Sequence, residues 1–178
     1  DSIMIRLNSN DFDNTLMFCG RGVEKNNFMM ELFLKDLELK NNMFDIYEKD
    51  EKVFSKYIDS SYQSATKLYD KRKSFINWSE EFDEIAKANI ELNYAYKKEI
   101  FPIIHEFKTG NSIKTNLPKS YYSYRNKINV NKPNLLHYSP FINYMTSMLN
   151  NIVLTECKGH LDDMSLENNI KKLQIADT

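Results

Sequence analysis

Two long amphipathic segments joined by a few polar residues constrain the fold of this chain more than any other feature. Apolar side chains recur at intervals of three and four from about Glu48 to Phe75, and again from Ser79 to Thr109. That spacing is the period of an α-helix with one buried face. At about 1.5 Å per residue, each helix exceeds roughly 40 Å in length. Two such helices with a short connection pack as an antiparallel pair, so the sequence predicts a mainly α-helical domain built on this pair.

The residues around the second segment predict where its helix begins and ends. Asn77 and Ser79 are both suitable N-cap residues, and Glu80 stands three residues after Asn77, as in a capping box. Pro102 is expected to kink the helix, and Gly110 is expected to end it.

Shorter helices are predicted on both sides of the long pair. Each has a capping residue, a proline or a three-to-four apolar spacing at its start. In chain order they are Asn26 to about Leu39, which Asn41-Asn42 interrupts, Lys119–Asn126, a helix with Ser139 as N-cap that runs to about Gly159, and Ser165–Ile175. Pro133 and Leu135-Leu136 are assigned to a loop.

The first 22 residues predict β structure instead. Ile3, Ile5 and Leu7 share one face of a first strand, and Thr15 to Cys19 forms a second. An isolated two-stranded sheet is marginal in water, so we expect these strands to belong to a larger sheet. The predicted division is a short N-terminal β stub over residues 1–22 and a helical domain over residues 23–178.

Charge and composition exclude several classes of protein. The 24 basic and 25 acidic side chains nearly cancel, which argues against a nucleic-acid partner. No apolar run approaches the roughly 20 residues of a membrane span. Because the chain begins with Asp1 rather than Met, we expect it to be a processed form or a fragment.

The segment between Glu106 and Glu156 contains no acidic residue. Tyrosines alternate there with basic side chains, which is typical of grooves that stack single-stranded bases. The other interpretation is that the tyrosines pack on the helix pair while the lysines face solvent or the acidic helices. We favour it, because the cation density is ordinary and only one arginine is suited to stacking. The candidate partner-binding residues are Tyr121, Tyr122, Tyr124, Arg125 and Lys127.

No catalytic, cofactor or metal site is predicted. Cys157 and His160 form a Cys-x-x-His pair beside Asp162 and Asp163, but a closed zinc site needs four ligands at suitable spacing. The Gly20-Arg21-Gly22 sequence lacks the third glycine and the βαβ context of a phosphate loop.

The two cysteines predict no redox chemistry either. Thioredoxin-type exchange needs a low-pKa thiolate close to a second cysteine, whereas Cys19 and Cys157 are isolated in sequence. We expect no oxidoreductase activity from this chain alone. The cysteines are either paired or separate buried thiols, and we favour the second arrangement because free cysteine is among the most frequently buried residue types.

Three stretches together resemble a known family. The first opens with Asp1-Ser2-Ile3 and closes with the run from Phe18 through Gly20-Arg21-Gly22 to Phe28. The second is the long helix pair. The third begins at Leu117-Pro118 and continues to Tyr144. They resemble the helical region of Bacteroidetes-type TlpA/ResA-like thiol–disulfide oxidoreductases, which lies between a β-sandwich and a thioredoxin domain.

This resemblance implies a context and transfers no active-site residue. The redox Cys-x-x-Cys of that family lies in the thioredoxin domain, and the β stub would be the end of the preceding β-sandwich. The implied location is the periplasm or cell envelope, and the implied protein is either periplasmic or held by a lipid anchor upstream of this chain. Two alternative functions remain: a non-catalytic accessory module that positions or dimerises a thioredoxin-like domain or contacts its clients, or a stand-alone envelope protein that binds a ligand or a peptide.

Overall fold

The computed structural model describes residues 3–113 and 116–156, and within them the chain is mainly α-helical with a small N-terminal sheet. In chain order the elements are β1 (Ile3–Arg6), α1 (Phe12–Thr15), β2 (Met17–Gly20), α2 (Glu24–Ile46), α3 (Glu51–Phe75), α4 (Glu80–Thr109), two short 3-10 helices (Ser123–Lys127 and Pro133–Leu135) and α5 (Ser139–Glu156). This architecture confirms the predicted fold class.

The long helix pair α3–α4 forms as predicted, and its caps define its limits. Asp50 holds the N-cap of α3 by accepting a hydrogen bond from the Val53 N–H at 2.9 Å, so α3 begins three residues later than the apolar spacing predicts. Ser79, and not Asn77, caps α4. Gly110 ends α4 with a φ of 71°, in the left-handed region that glycine adopts without strain.

The two helices run antiparallel along their whole length. Contacts between them join successively later residues of α4 to earlier residues of α3, at Tyr69–Asp83, Asp59–Tyr94 and Phe54–Phe101. Helix α4 continues through Pro102 to Thr109. It contributes to all three clusters of buried apolar residues in the described part of the chain, so α4 is the central helix of the fold.

Helix α2 is longer than predicted, because Asn41-Asn42 does not interrupt it. Asparagine inside a helix costs less than about 1 kcal/mol relative to alanine. Packing beyond the asparagines offsets that cost, since Tyr47 is buried against Phe54 and Phe101. The prediction of a helix end near Leu39 was therefore wrong for a tertiary reason.

The N-terminal hairpin, β1–β2, is antiparallel and pairs Ile3 with Gly20 and Arg6 with Met17. The second strand begins at Met17 rather than Thr15, because Thr15 belongs to the short helix α1 and its hydroxyl donates to the Asp11 carbonyl at 2.5 Å. The hairpin is attached to α2 by the Asn27 side chain, which exchanges two 2.9 Å hydrogen bonds with the Phe18 backbone.

The region after α4 differs from the prediction in detail. The predicted helix over Lys119–Asn126 is a pair of turns followed by a 3-10 helix, and the predicted loop at Pro133 contains a second 3-10 helix. Helix α5 starts one residue early, because the Ile142 N–H donates to the Tyr138 carbonyl and Tyr138 thus holds the N-cap position assigned to Ser139. The predicted end near Gly159 and the predicted helix Ser165–Ile175 lie outside the described residues.

Asp83 is the centre of a polar network near the connection between α3 and α4. Its carboxylate accepts hydrogen bonds from the Tyr69 hydroxyl at 2.5 Å and the Trp78 indole N–H at 3.0 Å. It also pairs with the ammonium groups of Lys73 at 2.8 Å and Lys87 at 3.0 Å. Burial raises the pKa of Asp83, but these four hydrogen bonds outweigh it and lower the pKa well below its usual range.

We therefore expect Asp83→Asn to reduce the acid sensitivity of the fold. A carboxyl with a lowered folded-state pKa contributes stability that is complete above its unfolded pKa of about 3.9 and is lost as the pH falls towards the folded value. The variant should be less stable than the parent at pH 7, and its stability should fall less steeply below about pH 4. Urea unfolding at a series of pH values measures both effects. Asp70→Asn, on the exposed side of α3, is the control and should keep the parental slope.

Candidate functional site

The structure brings four of the five predicted partner-binding residues together against α4. Tyr121 and Tyr124 are buried, Tyr122 is half-buried, and the guanidinium carbon of Arg125 lies 4.0 Å from the centre of the Tyr122 ring. Lys127 is exposed to solvent. The two buried rings thus pack on the helix pair, as the favoured interpretation of the segment had it, and partner binding by these five residues stays a prediction.

A buried ion pair holds this segment in place. Glu99, which is fully buried in α4, accepts hydrogen bonds from Nε and Nη2 of Arg125, both at 2.7 Å. The side-chain amide of Asn151, on α5, donates to the same carboxylate at 2.7 Å. Arg125 thereby joins the segment to α4, and Asn151 joins α5 to α4. The arrangement fits a structural role, because both carboxylate oxygens are already engaged.

Lys98 lies beside this pair in an aromatic enclosure. Its ammonium nitrogen is 4.6 Å from the ring centre of Tyr121, 5.4 Å from that of Tyr124 and 5.6 Å from that of Tyr94. Burial lowers the pKa of Lys98, while nearby Asp59 partly offsets the effect. Contact with three ring faces favours the ammonium form of Lys98. It replaces part of the hydration that the ammonium group loses on burial.

The sequence pattern gives no sign of this buried group of charges. Lys97, Lys98 and Glu99 are three consecutive charged residues, and all three are buried, whereas a charge run on a helix normally lies in solvent. The residues that cover Lys98 and Glu99 come from the segment after α4 and from α5.

A cleft lies between α2, α3 and α4. It has a volume of about 280 Å³, and Leu32, Ile58 and Ile90 contribute buried apolar side chains to its wall. Neither the cleft nor its lining was predicted. Its polar lining consists of Lys35, Asp36, Glu38, Ser61, Tyr62, Ser64, Asn89, Asn93, Tyr94 and Lys97.

Hydrogen bonds organise the polar lining of this α2–α4 cleft. Lys97 forms an ion pair with Asp36 across the contact between α4 and α2. The Lys35 ammonium donates to the Ser64 hydroxyl at 3.1 Å. On α4, the Asn93 amide donates to the side-chain oxygen of the residue one turn earlier at 3.1 Å. The cleft thus combines apolar walls with fixed polar groups, as ligand sites do.

The N-terminal hairpin presents a second exposed surface. Ile3, Met4 and Ile5 are 50%, 57% and 56% exposed. Met17, on the partner strand, is 55% exposed. Both faces of β1 are therefore exposed in the described part of the chain, whereas β2 lies beside α2, with Phe18 and Cys19 half-buried.

The remaining sequence candidates are only partly described. Cys19 is a free, half-buried thiol, and Cys157, His160 and the two neighbouring aspartates lie outside the described residues. Within residues 3–113 and 116–156, no cluster of His, Cys, Asp and Glu is placed to hold a metal ion. In the same ranges, no helix combines the length and the apolar character that crossing a bilayer requires.

Comparison with protein-family models, with curated proteins and with solved structures finds no match to this chain.

Proposed function

We propose that this chain is a non-catalytic helical accessory module of an envelope thiol–disulfide oxidoreductase-like protein. In this proposal the helical domain positions or dimerises a thioredoxin-like domain, or contacts its clients. The N-terminal hairpin is the surface through which the module joins a neighbouring β-domain. The location in the periplasm or cell envelope and the thioredoxin-like partner rest on the family resemblance. The observation that carries the proposal is the exposure of the hairpin's apolar side chains.

The hairpin supports this proposal because an isolated two-stranded sheet is only marginally stable in water. Two strands of four residues each are at the lower limit of independent stability, and each has an unpaired edge within the described residues. Contiguous exposed apolar side chains mark interaction sites on soluble proteins. The two hydrogen bonds between Asn27 and Phe18 fix the hairpin relative to α2, so a sheet that docks on it is oriented by the helical domain.

The coding sequence on both sides of these 178 codons provides the first test. We expect a strand-rich domain upstream and a thioredoxin-like domain with a Cys-x-x-Cys motif downstream. A coding sequence with neither domain refutes the proposal. If only the thioredoxin-like domain is present, the accessory role stands and the hairpin is assigned to the wrong neighbour.

The second test is amide hydrogen exchange in the longer protein that this coding sequence specifies. The amides of residues 3–6 and 17–20 should exchange about tenfold more slowly there than in the 178-residue chain, because a docked sheet suppresses local opening. Ile5→Lys should remove that protection. Ile142→Lys, at a comparably exposed position on α5, should leave it unchanged. Equal exchange in the two proteins would show that nothing docks on the hairpin.

A second candidate function is ligand binding by the helical domain itself, as in a stand-alone envelope binding protein. The α2–α4 cleft favours it, since one narrow cavity combines buried apolar side chains with ordered amide, hydroxyl and charged groups. The two functions can be tested separately, because the hairpin and the cleft are formed by different residues.

A further inference from the structure

The size of the α2–α4 cleft limits the kind of ligand that it can hold. Its volume of about 280 Å³ lies just below the roughly 300–1,000 Å³ of drug-sized sites. A folded peptide or a dinucleotide would extend well beyond it. A single substituted ring of metabolite size fits the available space.

The charges of the cleft are already compensated by one another. Lys35 and Lys97 oppose Asp36 and Glu38, so the lining has no net charge. Lys97 is paired with Asp36, and Lys35 donates to Ser64. An anionic ligand that bound Lys97 would compete with Asp36 for it, and a cationic ligand that bound Asp36 would compete with Lys97. Because the lining has no net charge, the cleft as a whole favours neither sign of ligand charge.

The neutral polar groups of the cleft are the ones with hydrogen-bonding capacity to spare. The Ser61 hydroxyl and the Asn93 side-chain oxygen have no hydrogen-bond partner among the described residues, and Asn93 uses one of its two amide hydrogens on Asn89. Hydroxyl groups of a ligand can donate to and accept from such groups at once. Tyr62 and Tyr94, whose ring centres are 4.7 Å apart, also line this cavity, and aromatic rings supply apolar surface that can contact the C–H groups of a ligand.

We propose that the α2–α4 cleft binds a neutral polyhydroxylated ring, a monosaccharide or a cyclic polyol. This inference rests on the second function proposed above, ligand binding in the cleft. The ligand's hydroxyls bond to Ser61 and Asn93, and its C–H face lies against the tyrosine rings. The ion pair between Lys97 and Asp36 stays intact and holds α2 against α4.

The experiment is a binding measurement by saturation-transfer NMR on the 178-residue chain. The neutral probes are D-glucose, D-galactose, N-acetyl-D-glucosamine and myo-inositol, and the charged probes are D-glucuronate and D-glucosamine. A ligand this small reaches only about millimolar affinity, so titrations extend to about 50 mM. Ser61→Tyr fills the cleft. The control is Ser60→Tyr, which places the same side chain at the neighbouring, exposed position of α3.

We expect at least one neutral probe to bind and both charged probes to bind more weakly. Ser61→Tyr should weaken binding about tenfold or more, and Ser60→Tyr should change it less than about twofold. Asn93→Leu, which keeps the size of the side chain, should also weaken binding. It replaces Ser61→Tyr as the decisive variant if Trp78 fluorescence shows that the tyrosine disturbs the fold.

Three other outcomes are possible, and each contradicts a different part of the proposal. If the charged probes bind more tightly and Ser61→Tyr removes them, the cleft is a ligand site and the neutral class is wrong. If a neutral probe binds but Ser61→Tyr and Asn93→Leu leave its affinity unchanged, the site lies elsewhere on the chain. If no probe of either class binds up to about 50 mM, both the ligand class and the proposed binding function of the cleft are rejected.

Discussion

Replacing Glu99 with alanine is expected to lower the free energy of unfolding by about 3 kcal/mol. The Glu99 carboxylate is fully buried and accepts hydrogen bonds from Arg125 and Asn151. Alanine leaves the Arg125 guanidinium without its counter-ion. The side chain of Arg125 is 22% exposed, so water compensates in part, which places the effect at the lower end of the usual range of 3–5 kcal/mol. Urea unfolding, followed by the fluorescence of Trp78, measures the change.

Two further variants separate the charge effect from the loss of packing. Glu81→Ala removes an exposed carboxylate from the same helix and should cost no more than about 0.5 kcal/mol. The double substitution Glu99→Met with Arg125→Met replaces both charges by apolar side chains of similar length, and it should recover most of the lost stability. If the double variant is no more stable than Glu99→Ala, the unpaired arginine does not explain the loss.

The parts of the fold that depend on local signals could be predicted from the sequence. The apolar spacing of α3 and α4, the serine at position 79 and the glycine at position 110 act within a turn or two of the backbone, so the ends of these helices lie close to their predicted positions. The extent of α2 could not be predicted in this way. Its continuation depends on contacts of Tyr47 with Phe54 and Phe101, which are distant in sequence.

The candidate site was less predictable than the fold, for a related reason. The pattern in the segment after α4 indicated that its tyrosines pack on the helix pair. It did not indicate which residues of the helices they contact. In the sequence, Lys98 and Glu99 have the pattern of charges that face solvent. In the structure they are buried, because the segment after α4 and helix α5 cover them. The lining of the cleft comes from three helices, and apolar spacing alone does not distinguish a residue that lines a cavity from one that fills the core.

Phe101→Ala is expected to destabilise the chain by about 3–5 kcal/mol. Phe101 is fully buried at the middle of an aromatic cluster, with its ring centre 3.8 Å from that of Phe54 and 6.3 Å from those of Tyr47 and Tyr121. The substitution removes the transfer free energy of the ring and leaves a cavity whose aromatic walls cannot close on it. Since small domains have only about 5–15 kcal/mol in total, the expected loss is a large fraction of the stability.

Phe107→Ala is the matched control, because Phe107 lies on the same helix but is 89% exposed. Its removal should change the stability by no more than about 0.5 kcal/mol. Trp78 reports on a different buried cluster from the one that contains Phe101. Because both clusters include residues of α4, we expect them to unfold together. Far-UV circular dichroism and Trp78 fluorescence should therefore give the same unfolding midpoint for Phe101→Ala. A midpoint that falls by circular dichroism alone would mean that the two ends of the helix pair unfold separately. A loss no larger than that of the control would contradict the assignment of Phe101 to the core.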